Sequence, residues 1–296
     1  MSTSPATVAE RQETGEGANL MVSIIVPAYN GMPFLGPAIE SIRAQSYPHW
    51  ELVICDNRST DGTLEWLQKE IQERPDPRIR LVTYREHLPM ADNWNRALEN
   101  VNHELVKVFP CDDILLPDCL KIQVSQLEVN PDAGFATSCK EVIDAVGRKL
   151  FGKKPIPEGK YDWSELGVRC LYSAGSNPLG EPGGVLFRSD LLKSCGVFDT
   201  SFRYYIDMDL WLRFLKKSKV CVWGQPLYQF RVHGSSGSAS SRKLFVKEYF
   251  KLLHNYEADL PLAGRPLVRG YFEIKTRLVM VLRAMVFWFF RKTVSQ

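Results

Sequence analysis

Four times by residue 130 a short apolar run breaks off in a polar turn and gives way to apolar residues at helical spacing. The first run, residues 22–26, is closed by Pro27 and the turn Ala28-Tyr29-Asn30-Gly31, and Phe34, Leu35, Ile39 and Ile42 follow. The second, residues 52–55, ends in Asp56-Asn57-Arg58-Ser59-Thr60-Asp61-Gly62-Thr63 and leads into Leu64, Trp66 and Leu67. Residues 79–84 precede a helix around 94–98, and residues 105–109 precede one around 120–129. Strands joined through helices of this length must lie parallel, because only a crossover returns the chain to the same end of the sheet. The pattern predicts an α/β fold with a doubly wound, mostly parallel sheet and helices on both faces.

Such a sheet places all the polar turns on one rim, where open α/β sheets bind their ligands. The rim gathers Asn30, Asp56, Asn57, Asp112 and Asp113. Acids and amides without basic phosphate clamps imply that phosphates are met through a divalent cation, and hard oxygen ligands suit Mg²⁺ or Mn²⁺. Asp56 and Asn57 are placed to hydrogen-bond a base or ribose, whereas Asp61 and Gly62 read as turn and helix cap. By themselves Asp112 and Asp113 read equally as turn residues before a helix whose first position is Pro117.

Charge and cysteine usage narrow the class. A net charge of +3 over 296 residues, with no long Lys/Arg block, argues against a nucleic-acid surface. The seven cysteines form no C-x-x-C pair and read as reduced, mostly buried thiols of a cytosolic protein. Residues 1–20 lack an apolar core and read as a disordered tail, neither signal peptide nor anchor. The stretch from Gly147 to Lys154 approaches a phosphate-binding loop, but Lys154 stands where Ser or Thr is required and Pro155 opposes the following helix.

In the second half, Gly180-Glu181-Pro182-Gly183-Gly184 precedes an apolar run at 185–187. Its small residues permit either close backbone approach to a ligand or a simple bend. Beyond it, Leu210, Trp211, Phe214 and Leu215 form a helical stripe with Asp207 and Asp209 in its first turn, where the helix dipole alone would favour acids. Asp209 lies one turn from Arg213, the spacing of an ion pair.

VSIIVPAYNGMPFLGPAIESIRAQSY, CDNRSTDGT, PCDDILLPDCL, GGVLFRSDLL, GVFD, DMDLWLR and FRVHGSSGS, in this order over residues 21–240, resemble the family-2 glycosyltransferases of the GT-A fold. The resemblance implies an inverting transfer of a sugar from a nucleotide-diphosphate donor, UDP- or dTDP-linked, to a saccharide or lipid-linked acceptor in cell-surface polysaccharide or glycoconjugate synthesis. It implies donor contacts from Pro27, Ala28, Tyr29, Asn30, Asp56, Asn57, Asn93, Asp112 and His233, and metal ligation by Asp113 and His233. Asp207 is implied to be the catalytic base, with Gly183 and Gly184 beside the acceptor. Two departures stand out: Pro110 occupies the first acidic place of the family's Asp-x-Asp-Asp motif, and Ile206 replaces the Glu of its Glu-Asp pair. The alternative from another class is a nucleotide-sugar-binding module without transferase activity.

Three regions are expected: the tail at 1–20, the catalytic domain at 21–240 and a helical extension at 241–296. Within the extension, the apolar residues at 278–290 are interrupted by Arg283 and flanked by Arg277, Arg291 and Lys292. That segment is too short and charged to span a bilayer and suits an interfacial helix on anionic lipid, or one docked on protein. The expected location is cytoplasmic, with peripheral contact at the inner membrane face.

Overall fold

The computed structural model describes residues 20–153, 156–173, 177–234 and 242–259, with 270–271, 274–275 and 277–279. The expected tail up to residue 19, the serines from 235 onward and most of the apolar segment at 276–292 lie outside the described residues.

The alternation expected from the sequence is present: β1 (Val22–Ala28), α1 (Leu35–Arg43), β2 (Trp50–Asp56), α2 (Thr63–Glu73), β3 (Ile79–Thr83), α3 (Met90–Leu98) and β4 (Leu105–Val108). Every residue of β1 is buried, as a strand covered on both faces requires. Helix α1 buries Leu35, Ala38, Ile39 and Ile42, one stripe at helical spacing. The chain continues through β5 (Ile114–Leu115), α4 (Cys119–Val129), β6 (Ala133–Ile143), β7 (Lys149–Lys153), β8 (Gly159–Tyr161) and α5 (Trp163–Leu171). A 3₁₀ turn at Pro182–Gly184, β9 (Leu186–Arg188), α6 (Asp190–Cys195), α7 (Ile206–Lys217), β10 (Lys219–Arg231) and α8 (Arg242–Tyr256) complete it.

One expectation is corrected locally. Helix α4 starts at Cys119, not Pro117, because Asp118 takes the capping position. The Pro117 carbonyl accepts the Ser46 N–H at 2.9 Å, which ties this turn to the end of α1.

The strands run in the order β3-β2-β1-β4-β9-β6-β10-β5, with β7 hydrogen-bonded to β6 and β8 to β10. The first four strands are mutually parallel. Short β9 runs antiparallel to both β4 and β6, so β6 and its parallel neighbour β10 point the same way as β4. The ends of β1, β2, β4, β6 and β10 therefore share one rim. Each face of the sheet carries a core: Ile24, Leu52, Leu67 and Leu120 lie on one side, and Ile25, Val53, Trp211 and Tyr249 on the other. Neighbours in a strand serve opposite faces, as the pleat dictates. No helix among the described residues is long and apolar enough to cross a membrane.

Candidate active site

The rim begins at the end of β2, where Asp56 is 1 % exposed. Its Oδ2 accepts the Ser59 N–H at 3.2 Å, and its Oδ1 is buried without a protein partner. A buried carboxylate oxygen left unpaired is costly, and a ligand N–H would satisfy it. Above it stand Tyr29, 43 % exposed, and His87, with ring centroids 4.2 Å apart. Asn30 adopts left-handed backbone geometry with φ 51°. Its Oδ1 accepts the Thr60 N–H at 2.8 Å, which joins the first two rim turns.

Four of the expected donor residues make protein contacts in this geometry. Pro27 and Ala28 are buried at the end of β1, and the Ala28 carbonyl accepts the Asn57 N–H at 2.8 Å, so both serve the sheet. The Asn57 amide is consumed by the protein: Nδ2 donates to the Leu88 carbonyl at 2.9 Å, and Oδ1 accepts from the Leu88 N–H at 2.9 Å and Arg96 Nη2 at 2.7 Å. Asn93 is 3 % exposed and accepts from the same Arg96 nitrogen at 3.3 Å. Asn57 thus braces the loop that carries His87, and Asn93 shares its Arg96 contact.

The turn after β4 is locked by Arg231 from the end of β10. The Arg231 N–H donates to Asp113 Oδ1 at 3.0 Å and its Nε to the Asp112 carbonyl at 2.8 Å. Its Nη1 reaches the Asp144 and Ala145 carbonyls at 3.1 and 3.2 Å. Asp112 Oδ2 lies 2.9 Å from Nε2 of His233, whose ring packs on Phe34 with centroids 4.5 Å apart. Asp113 Oδ2 is buried and has no protein partner. Burial and the neighbouring Asp112 charge hold the Asp113 carboxyl well above its ordinary value, against the Arg231 N–H that favours its charge. Among the described residues no group of three or more His, Cys, Asp or Glu side chains is assembled to hold a metal. One orphaned carboxylate oxygen with a second acid beside it still fits Mg²⁺ or Mn²⁺, which take one or two protein carboxylates and complete their shell with phosphate oxygens and water.

Opposite this turn runs the 177–184 segment, pinned at every step. Thr137 Oγ1 donates to the Leu179 carbonyl at 2.6 Å, and Trp211 Nε1 to the Gly180 carbonyl at 3.0 Å. Fully buried Lys107, the one charged residue of β4, donates to the Gly183 and Val185 carbonyls at 3.0 and 3.1 Å. Burial pushes its ammonium below the ordinary value. A Cβ on Gly183 would stand 2.9 Å from Asp113 Oδ2, so the missing side chain is what leaves that oxygen its space. At Gly184 a Cβ would strike the Tyr228 ring, and its carbonyl accepts from Gln123 Nε2 at 2.7 Å. It is glycine so that Tyr228 can pass over it.

Asp207 emerges in the first turn of α7. Its Oδ2 accepts from Asn177 Nδ2 at 3.0 Å, and its Oδ1 from the Met208 N–H at 2.7 Å. The same Asn177 nitrogen donates to the Gly180 carbonyl at 2.8 Å, joining Asp207 to the 177–184 segment. Burial first, then the Glu181 charge, push its carboxyl from 3.8 up to about 7, and these two hydrogen bonds only partly oppose them. Asp209 is structural, as the sequence suggested, with Arg213 Nε at 2.9 Å.

Sequence reading missed Glu181 and Lys140, which form a buried ion pair; Tyr228 donates to Glu181 Oε2 at 2.7 Å. Burial pushes Glu181 up, but Lys140 and the hydrogen bonds outweigh it, and the carboxyl lies below its ordinary value. It also missed Lys107, although a lysine inside the apolar run Leu105-Val106-Lys107-Val108 was a visible signal.

Comparison with known proteins agrees with this fold. The glycosyl transferase family 2 model matches residues 23–185. TuaG of Bacillus subtilis (strain 168), named as a candidate glycosyltransferase of teichuronic acid biosynthesis, is 38 % identical over 78 % of this chain and 86 % of its own. WfgD of Escherichia coli, a UDP-Glc:α-D-GlcNAc-diphosphoundecaprenol β-1,3-glucosyltransferase, is 26 % identical over 85 % of this chain and 90 % of its own. The chain spans only 31 % of the uncharacterized protein y4gI of Sinorhizobium fredii (strain NBRC 101917 / NGR234), to which it is 30 % identical over 90 % of its length. Among solved structures, residues 1–349 of S. aureus TarS with UDP-GlcNAc superpose with a TM-score of 0.63 at 19 % identity, covering 79 % of this chain and 64 % of that one. The mannosyltransferase PcManGT of Pyrobaculum calidifontis, bound to GDP-Man and Mn²⁺, gives 0.58 at 18 % identity over 90 % and 84 %. The fold is that of the GT-A glycosyltransferases, and the chain belongs to glycosyl transferase family 2.

Proposed function

We propose that this chain is an inverting glycosyltransferase that moves a sugar from a nucleotide-diphosphate donor, UDP- or dTDP-linked, to a saccharide or lipid-linked acceptor hydroxyl in cell-surface polysaccharide or glycoconjugate synthesis. One observation supports the reading: a single segment, 177–184, leaves space beside unpaired Asp113 Oδ2 at Gly183 and reaches Asp207 through Gly180 and Asn177. One segment thereby borders both carboxylates.

On the donor side the Tyr29–His87 pair and Asp56 Oδ1 receive the base. Asp113, with His233 and Asp112 alongside, would hold Mg²⁺ or Mn²⁺, which neutralises charge on the diphosphate as a Lewis acid. On the acceptor side Asp207 takes the proton of the attacking hydroxyl as its oxygen bonds to the anomeric carbon, and the nucleotide diphosphate departs with the electron pair of the broken bond. A carboxyl raised to about 7 is a better base than an ordinary carboxylate, because its proton affinity is matched to neutral pH. A single displacement with one base inverts the anomeric centre.

The test is Asp207→Asn in the full chain. UDP affinity by calorimetry should stay close to that of the parent, while sugar transfer falls by at least ~10²-fold, the low end for losing a general base. Equal turnover of the two proteins would reject the assignment. A parent that binds UDP-sugar and transfers it to no saccharide or lipid-linked acceptor would be a binding module instead.

A further inference from the structure

The family match ends at residue 185, yet the helix that holds the chain on both sides of the candidate base lies well beyond it. Tyr205 at the N-cap of α7 makes no side-chain capping bond, and within the first turn Asp207 Oδ1 accepts the Met208 N–H. The turn that leads into α7 is held from α8. Glu248, 4 % exposed, accepts the Arg203 N–H with both carboxylate oxygens at 3.0 Å and the Tyr204 N–H at 2.7 Å. A charged carboxylate on backbone N–H groups is among the stronger hydrogen-bonding arrangements, and a negative charge ahead of a helix start also suits its dipole. The Tyr205 ring packs on Phe245 and Tyr249 of α8, with centroids 5.1 and 5.8 Å apart. Downstream, Tyr256 donates to the Asp209 carbonyl and to its Oδ1 at 3.1 and 2.9 Å. Helix α8 thus holds the chain two residues before Asp207 and two residues after it.

We propose that Glu248 is a positioning residue for sugar transfer: from the C-terminal helix it fixes the 203–205 turn and so aims Asp207 at the acceptor hydroxyl. The proposal rests on the reading of Asp207 as the base and extends it to a part of the chain outside the family's matched region. Such aiming matters because a displacement of about 1 Å at a reacting group costs on the order of 10²-fold in rate. Glu248→Gln keeps the size of the side chain but turns one acceptor oxygen into a donor facing backbone N–H groups.

The experiment compares full-length parent, Glu248→Gln and Tyr249→Phe. The last removes only the hydroxyl that donates to the Leu171 carbonyl at 2.7 Å, loosening α8 from α5 while leaving the Glu248 contacts intact. Glu248→Gln should lower kcat by at least about tenfold with donor KM and calorimetric UDP affinity within about twofold of the parent. Amide hydrogens of 203–209 should exchange faster in it. Tyr249→Phe should lower the melting temperature without that loss of kcat. Unchanged kcat in Glu248→Gln, or a loss matched by Tyr249→Phe at equal destabilisation, overturns the proposal. If the parent itself transfers no sugar, the functional reading fails separately, and exchange at 203–209 still decides whether Glu248 holds the turn: equal rates overturn it.

Discussion

Asp207 shows how one side chain links folding to chemistry. A carboxyl raised from 3.8 to about 7 in the folded protein holds its proton more tightly there than in the unfolded chain. Its contribution to stability is therefore full below the unfolded value and is lost as pH rises toward the folded one. Asp207→Asn should gain stability over the parent progressively between pH 4 and 8, reaching at least about 1 kcal/mol, with a flat difference above that range. Denaturant titrations at several pH values check this, and a gain that shrinks with rising pH would contradict it. The proposed role as base runs the other way: it requires the ionised form, so transfer should fall on the acid side of about pH 7. Across the crevice, Gly183→Ala should put a methyl 2.9 Å from Asp113 Oδ2. With Mn²⁺ present, UDP affinity should fall by about tenfold or more, and overpacking the buried turn should cost about 1–3 kcal/mol of stability. Asp113, Asp207 and the Asp209–Arg213 pair were legible in the sequence because each belongs to a short pattern. Glu181, Lys140 and Asn177 were not, because their partners stand far away: Asn177 meets Asp207 across 30 residues and Glu181 meets Tyr228 across 47.

At the scale of elements, four strand–turn–helix units were readable from apolar runs alone, since β1, β2 and β4 are covered on both faces. The start of α4 was misread because Pro117 suits a first helical position, yet here it lies in the turn before the Asp118 cap. The glycines at 183 and 184 look alike in sequence and differ in duty, a distinction set by Asp113 and Tyr228 lying on opposite sides of the turn. The turn after β4 depends on a strand that arrives more than a hundred residues later. Arg231→Ala would remove the donor to the Asp112 and Ala145 carbonyls and leave the Asp144 carbonyl only the Gly147 N–H. The expected cost is about 1–3 kcal/mol of stability, from hydrogen bonds lost with a buried guanidinium, accompanied by weaker UDP binding in Mn²⁺. Thermal unfolding and calorimetry on the same samples measure both, and retention of parent stability would show that the turn stands without Arg231.

For the molecule as a whole, the sheet consists of two parallel blocks whose strand-to-strand pairing narrows to one short strand, although each core runs beneath both blocks. Strands β3, β2, β1 and β4 form one and β6 and β10 the core of the other, with β9 as the hydrogen-bonded link between them. That link is Leu186–Arg188, with Phe187 opposite Val106 on one edge and Phe135 on the other. What reinforces it is aromatic packing: Phe187 lies 5.8 Å from Trp211 and 5.2 Å from Phe214, centroid to centroid. Phe187→Ala should cost about 3–5 kcal/mol, the usual range for emptying a buried aromatic site. Because each core continues beneath both blocks, the loss should appear as one sharp transition at lower temperature in scanning calorimetry, whereas a broadened or doubled endotherm would mean that the blocks melt separately. Leu186–Arg188 follows the 177–184 segment almost at once in the chain, so this short pairing anchors the far end of the loop that borders Asp113 and Asp207. Pressure or mild denaturant that loosens it should then weaken the proposed coupling between nucleotide binding and sugar transfer before global unfolding.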